Sequence, residues 1–379
     1  MTVTPAAPVP RVPPVPRVEA GVQLHLPSYL DRSLPELARI AVTAADTGFD
    51  QVWLTDNQEC RSTFVVLAVL APAVRIKLGT AIMAQYLRSP VEAARGLLTV
   101  SELMDGRELS VGLGAGNPTS GRFIRMPKPV GFMRQTADSL RRLLDGDEIE
   151  LDRYPLLQEY FQFAPGARLR VPVPDAGPIT LFGGGNGPRG LALAGELMDG
   201  LIFGWTTKLN ATLGRVDDKL AIAGRAAAAA AAPAGRREDG FRRVTELKIS
   251  VARDHAAARQ FVRDNPSCAR RTLGLRRRGY TDDELELLGI SPADVDALER
   301  AWQAGGNFTD FSDLVTDAMI DASYVAGDPA YCAQQVAAFA KDVVLPAGFD
   351  QVIFSELGPD PVAAVELIAE SVLPALPAA

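Results

Sequence analysis

Eight short, almost uninterrupted apolar runs, each followed by a stretch with helical spacing, limit what this chain can fold into more than any other feature. They are GVQLHL (21–26), QVWLTD (51–56), RIKLGTA (75–81), ELSVGLG (108–114), PITLFG (178–183), GLIFGW (200–205), ELKISVA (246–252) and QVIFSE (351–356). A strand covered by helices on both faces has no solvent side, so its sequence loses the apolar-polar alternation of a half-exposed strand. Between the runs, LPELARIAVTAADTG spaces its apolar residues at helical intervals and stops at Gly48. SPVEAARGLLTVSELMDG offers Ser89 as N-cap and Pro90 at the first helical position. Eight strand-helix units predict an α/β fold, a closed (β/α)8 TIM barrel, in preference to an open doubly wound sheet.

Two connections are too long for simple barrel turns, about 117–177 after strand 4 and about 253–348 after strand 7. Both read as helical insertions, and SPADVDALERAWQAGG in the second opens a helix at Ser291 and Pro292. Insertions at the carboxyl ends of barrel strands are placed to roof a site. Residues 20–379 therefore form a single barrel domain. Residues 1–19 form an extended or disordered tail, because their prolines fix φ and remove amide donors. A net charge of −7 argues against general binding to nucleic acid or anionic membranes. No apolar run is long enough to span a bilayer. Three dispersed cysteines without metal-ligand spacing fit a reducing cytoplasm, and with only two histidines a histidine-rich metal centre is excluded.

LFGGGNGPRG (181–190) packs five glycines around the end of the fifth strand, and the next helix starts at Pro188. Unpaired amides and the aligned peptide dipoles at a helix start favour an anion, and glycines let a phosphate reach the backbone. Arg189 can add charge there or point to solvent. Gly185 to Gly190 also satisfies G-x-G-x-x-G, but after the fifth strand, and with no acidic strand end at the usual distance. A tight turn without a ligand accounts for the same residues. Small or polar residues end the neighbouring strands as well: Asp56 and Asn57, Gly79, Ala81 and Ile82, then Gly112, Gly114, Gly116 and Asn117. Four such ends at one face suggest a shared site with room for a flat ring system.

The chain resembles the bacterial luciferase-like superfamily of flavin- and deazaflavin-dependent barrels, and within it the coenzyme F420-dependent methylenetetrahydromethanopterin reductase-like group. The resemblance runs from about residue 21 to the C-terminus. It is carried by GFDQVWLTDNQECRS, RIKLGTAIMAQYLRSP, ELMDGRELSVGLGAG, GGGNGPRGLALAGELMDGLI and GFDQVIFSELGPDP. It implies that Asp56 and Asn57 face the deazaflavin ring, that a non-prolyl cis peptide at Ala81-Ile82 backs it, and that Ala115, Gly116 and Asn117 lie beside it. Gly184, Gly185, Asn186, Gly187 and Pro188 match the segment that binds the ribityl phosphate region. Arg61 and Arg88 match arginines that bind a ligand or pin loops. The resemblance also implies a homodimer. FMN is the alternative cofactor, since the same turn suits both.

Asn57 stands where relatives commonly carry histidine, and Asn117 where the dehydrogenases carry a catalytic glutamate. Amides do not titrate near neutrality, whereas alcohol oxidation requires a base. The expectation is therefore a reductase that passes hydride to an activated C=N or conjugated C=C bond in a small molecule or peptide natural product. Glu356, at the end of the eighth strand, is the carboxylate candidate for proton donor, against a solvated strand-end charge. Tyr86 is the other donor candidate, against an aromatic wall. Met83, Phe182 and Trp205 could wall an apolar pocket or simply pack the core. RRTLGLRRRGY (270–280) could bind an anionic substrate or the cofactor's acidic tail, or form a solvated helix face. An FMN monooxygenase and a non-catalytic ligand-binding paralogue are the competing functions.

Overall fold

All eight anticipated strands form, and they close on themselves. The computed structural model describes residues 18–29, 31–114, 124–125, 127–173, 177–234 and 240–377. In chain order the barrel strands are β1 (Glu19–Leu24), β2 (Gln51–Leu54), β3 (Lys77–Ala84), β4 (Leu109–Gly114), β5 (Ile179–Gly184), β6 (Gly200–Phe203), β7 (Arg242–Val251) and β8 (Gln351–Ser355). Each pairs in parallel with the next, and β8 pairs with β1.

The local chemistry explains most boundaries. Ser33 and Glu36 form a reciprocal capping box on the helix Leu34–Thr47, which Gly48 ends at φ 100°. Ser89 accepts from the amide of Glu92 (3.2 Å) at the start of the helix Pro90–Glu102. β7 begins earlier than the apolar run suggests, because Arg242 and Arg243 pair in the ladder while their charges mask the strand signal. β3 runs on past a register shift between Thr80 and Met83, and the Ala81–Ile82 peptide within it is cis.

Trp53, Phe182, Ile202, Val244 and Ile353 fill the lower barrel interior. The Trp53 indole donates to Gln351 Oε1 at 2.9 Å, so its buried N–H is paired. Lys77 with Glu19 (2.5 Å) and Arg242 with Glu108 (2.7 Å) close the amino-terminal end. Phe182 and Met83 are therefore core residues and do not wall a pocket.

Helices occupy both long connections. The first holds the helices Pro129–Leu144 and Pro155–Phe161 and a hairpin of two-residue strands. The second holds five α-helices between His255 and Ser323, packed around a core of their own that includes Val262, Leu273, Ile290, Leu298 and Phe311. It also holds a strand absent from the sequence reading: Tyr324–Gly327 pairs in parallel with Lys248–Val251. This ninth strand fastens the roof to the upper half of β7. Among the described residues, no helix is long and apolar enough to cross a membrane.

Candidate active site

Alternation along a barrel strand decides which side chains reach the interior. On β7, Val244 packs inside, and Glu246 and Lys248 follow it at intervals of two on the same face. Two charges are thereby carried into the upper barrel, where Lys248 meets Glu246 at 2.5 Å. Glu356, one residue past β8, is fully buried beside them. Its Oε1 accepts from Arg271 Nη2 (2.6 Å) and lies 3.5 Å from Lys248 Nζ. Its Oε2 accepts from Asn265 Nδ2 (2.9 Å) and from the Tyr324 hydroxyl (3.2 Å). Arg271 also donates to that hydroxyl at 2.6 Å. The roof helix Pro266–Arg277 is thus pinned into the barrel mouth by Arg271.

Burial pushes the Glu356 carboxyl upward. The charges of Arg271 and Lys248 outweigh burial and hold the group well below the usual carboxylate range. Glu356 is therefore a permanent anion near neutrality, neither a solvated charge nor a ready proton donor, which corrects both sequence expectations. His25, just past β1, lies in the same field. Burial, with Lys248 and Arg271, lowers its imidazole to about 3 against the pull of Glu356. The Tyr86 hydroxyl donates to the Pro127 carbonyl (3.3 Å) and its ring stacks on Phe132 at 4.3 Å. Burial raises that phenol to about 12, so Tyr86 behaves as an aromatic wall.

On the opposite side of the mouth, Asp56 is buried with its oxygens engaged. Oδ2 accepts from Arg88 (2.6 Å) and the Ala84 amide (2.9 Å), and Oδ1 from Arg88 (3.1 Å) and Thr63 (2.9 Å). This bidentate pair ties the loop after β2 to the end of β3. Arg61 donates to the Tyr29 carbonyl at 3.2 Å. Asn57 accepts from the amide of Glu59 (2.9 Å) and stays partly exposed. Gln23, inside β1, donates to the Ala81 carbonyl at 2.7 Å and orients the cis peptide. Ile82 lies against the glycines of β4 and β5: a Cβ on Gly184 would stand 2.6 Å from Ile82 Cγ2, and one on Gly114 would overlap Ile82 Cδ1. The room left by those glycines is filled by Ile82, whose other side remains accessible. Ala115, Gly116 and Asn117 lie outside the described residues.

After β5, the helix Pro188–Leu197 starts from Gly187 with no side-chain cap. A Cβ at Gly185, Gly187 or Gly190 would meet nothing within 4 Å. Lys219 brings an ammonium to the Asn186 carbonyl (2.8 Å), and the Asn186 Oδ1 is buried without a partner. Free amides, open space and an adjacent cation fit a phosphate.

A family model described as luciferase-like monooxygenase matches residues 17–345. The chain belongs to the luciferase-like monooxygenase family. It is 30% identical over 353 residues to the 5,10-methylenetetrahydromethanopterin reductase of Archaeoglobus fulgidus, covering 91% of this chain and 97% of that one. It is 25% identical over 359 residues to the F420-dependent glucose-6-phosphate dehydrogenase of Nocardia farcinica, covering 90% and 94%. The structure of the coenzyme F420-dependent tetrahydromethanopterin reductase of Methanopyrus kandleri superposes with a TM-score of 0.75 at 23% identity, covering 95% of this chain and all of that one. In this luciferase-like barrel the structure brings Ala81, Ile82, Gly184 and Gly185 to one mouth. It adds His25, Glu246, Lys248, Tyr324 and Lys219, which sequence reasoning passed over. Charges at alternate positions within the apolar ELKISVA run were the available signal for two of them.

Proposed function

We propose that the protein is a coenzyme F420-dependent reductase that passes hydride to an already activated C=N or conjugated C=C bond of a small molecule or modified peptide. One observation carries this reading: none of the mouth groups Glu356, His25 and Tyr324 trades a proton near neutrality. Glu356 is held as an anion, His25 as the neutral imidazole, and burial raises the Tyr324 phenol well above its ordinary value. Asn57, and Asn117 outside the described residues, are amides. Removing a hydroxyl proton calls for a base of matched pKa, whereas an activated double bond needs hydride and a proton that water can give. The N. farcinica relative and the M. kandleri reductase support the cofactor class by their names, and the A. fulgidus relative supports the reductive direction by its own.

When bound, the deazaflavin supplies the hydride. The amides of Gly185 to Gly187 and the first turn from Pro188, with Lys219 beside them, would hold its phosphate. Ala81 and Ile82 would lie against its ring. The roof helices exclude water and orient the acceptor, and the chain works as a homodimer.

The test is a titration of the purified protein with F420 and with FMN, followed by anaerobic and aerobic oxidation of each reduced cofactor with candidate acceptors. The expected outcome is F420 binding with acceptor-dependent turnover in the absence of air. Binding of FMN with oxygen uptake would make the protein a monooxygenase and end the reductase reading. Asn57→Ala and Asn117→Ala are expected to slow turnover; unaltered rates in both would remove any direct part for either amide.

A further inference from the structure

Inward-facing residues of the barrel strands stack in layers, and the layer above Trp53, Phe182 and Ile202 has a gap in it. Ile202 on β6 stands in register with Val244 on β7, and both point inward. Two residues on, the inward positions are Gly204, one past the end of β6, and Glu246. Glu246 Oε1 accepts from the Ser355 hydroxyl (2.8 Å) and meets Lys248 Nζ at 2.5 Å. Among the described residues no hydrogen bond reaches Oε2. A Cβ built on Gly204 would have Glu246 Oε2, at 3.7 Å, as its single neighbour within 4 Å beyond the adjacent residues. The missing side chain therefore leaves open space inside the mouth, and the free oxygen borders it.

The two carboxylates of the mouth differ in what they can still bind. Glu356 is saturated: Arg271, Asn265 and Tyr324 take both its oxygens, and none of its side chain is exposed. Glu246 keeps 11% of its side-chain surface open. Burial pushes its carboxyl upward, but Lys248, Arg271 and the Ser355 hydroxyl bring it below the ordinary value, so it is ionised near neutrality. Lys248 also lies 3.5 Å from Glu356, and Arg271 pairs with Glu356, so two cations already balance two anions. What remains is one charged oxygen without a donor. A carboxylate takes an N–H more strongly than a neutral acceptor does, and most strongly when the N–H is itself charged.

We propose that Glu246 is a specificity-determining residue that receives, at Oε2 and in the gap over Gly204, the N–H of the acceptor's protonated C=N bond. Assigning that N–H to the reducible bond rests on the reductase reading; the N–H site itself does not, and it is tested without turnover. The step balances without a proton from the protein. Hydride adds to the iminium carbon, the π pair of C=N moves onto nitrogen, and the reduced deazaflavin that gave the hydride is left oxidised. The product is a neutral amine that keeps its N–H on Glu246. An iminium brings its own proton from solution, in keeping with mouth groups that do not trade protons near neutrality. A conjugated C=C acceptor presents no such N–H and gains nothing from this carboxylate.

The experiment measures binding of piperidinium, and of tetrahydropyran as a ring of the same size without N–H, to the full chain by calorimetry at neutral pH and constant ionic strength. Wild type is expected to bind piperidinium at least about tenfold more tightly than tetrahydropyran. Glu246→Gln, which keeps the size and removes the charge, should lose about tenfold for piperidinium and nothing for tetrahydropyran. Glu59→Gln, which neutralises an exposed carboxylate on the loop after β2, should change neither. Gly204→Ala covers the case of a Glu246→Gln chain that does not fold: it removes no charge, its methyl sits at ordinary contact distance, and by filling the gap it should weaken piperidinium binding severalfold. No preference in wild type, a preference kept in Glu246→Gln, an equal loss in Glu59→Gln, or undiminished piperidinium binding by Gly204→Ala would each overturn the proposal. A parallel F420 titration followed by deazaflavin absorbance reports on the cofactor reading alone, so the two failures are distinguishable.

Discussion

Glu356 shows how far a residue's role depends on what surrounds it. In the sequence it is one carboxylate at a strand end; in the fold it is the anion that neutralises Arg271 and Lys248 from outside the strand that carries the lysine. Glu356→Gln removes the charge but not the volume and leaves buried Arg271 without its carboxylate partner. Stability should fall by about 3–5 kcal/mol, read by urea denaturation, and a loss below 1 kcal/mol would mean that the cluster does not brace the roof. Asp56 is similar: its place at the end of the second strand was legible, but its partner Arg88 lies 32 residues away and no spacing rule joins them. His25 went unremarked because a single histidine in an apolar run carries no sequence signal, and its environment comes from strands at the far end of the chain.

At the scale of elements, the glycines of β5 and its following turn separate into two kinds. Gly183 sits under Ala194 and Met198, where an added Cβ would be 3.0 Å from the methionine sulfur. Gly183→Ala should therefore cost about 1–3 kcal/mol through overpacking. Gly185 faces open space, so Gly185→Ala should leave stability within about 0.5 kcal/mol. If that space receives the cofactor phosphate, the same variant should weaken F420 binding by about tenfold or more, a difference of roughly 1.4 kcal/mol; unchanged affinity would place the phosphate elsewhere. Lys219→Met should weaken F420 binding roughly tenfold as well, the scale of one lost charge-assisted hydrogen bond, with a smaller effect at high salt. Strands and capped helices were readable because each signal is local: alternation lost by double covering, Ser33 and Glu36 three apart, a glycine stop. Lys219 was not readable, since it reaches Asn186 only after a strand and a helix have folded back.

For the whole molecule, the mouth makes acid its weak side. Unfolded, His25 takes up a proton below its ordinary value of 6.5; folded, it refuses one until about 3. Stability is therefore lost as pH falls from about 6.5 to about 3, by up to about 1.4 kcal/mol per pH unit for this single proton. Glu356 acts in the same direction at lower pH, because its folded carboxyl is the stronger acid. Unfolding free energies of His25→Gln measured across that range should decline less steeply than those of wild type; parallel curves would show that the imidazole is not withheld from protonation. The barrel was legible from the sequence because eight repeats of one unit allow few closures. The roof was legible only as an insertion, because its helices pack on one another as much as on the barrel, and the strand Tyr324–Gly327 is too short to announce itself.

That strand also bears on how molecules enter. Tyr324–Gly327 joins the helical canopy to β7 by a backbone ladder, and Arg271 joins it to the end of β8 by a buried ion pair, so that flank cannot swing outward without breaking both. Molecules that enter the barrel then do so without displacing that flank, and a crosslink from the canopy to β7 should leave exchange rates untouched.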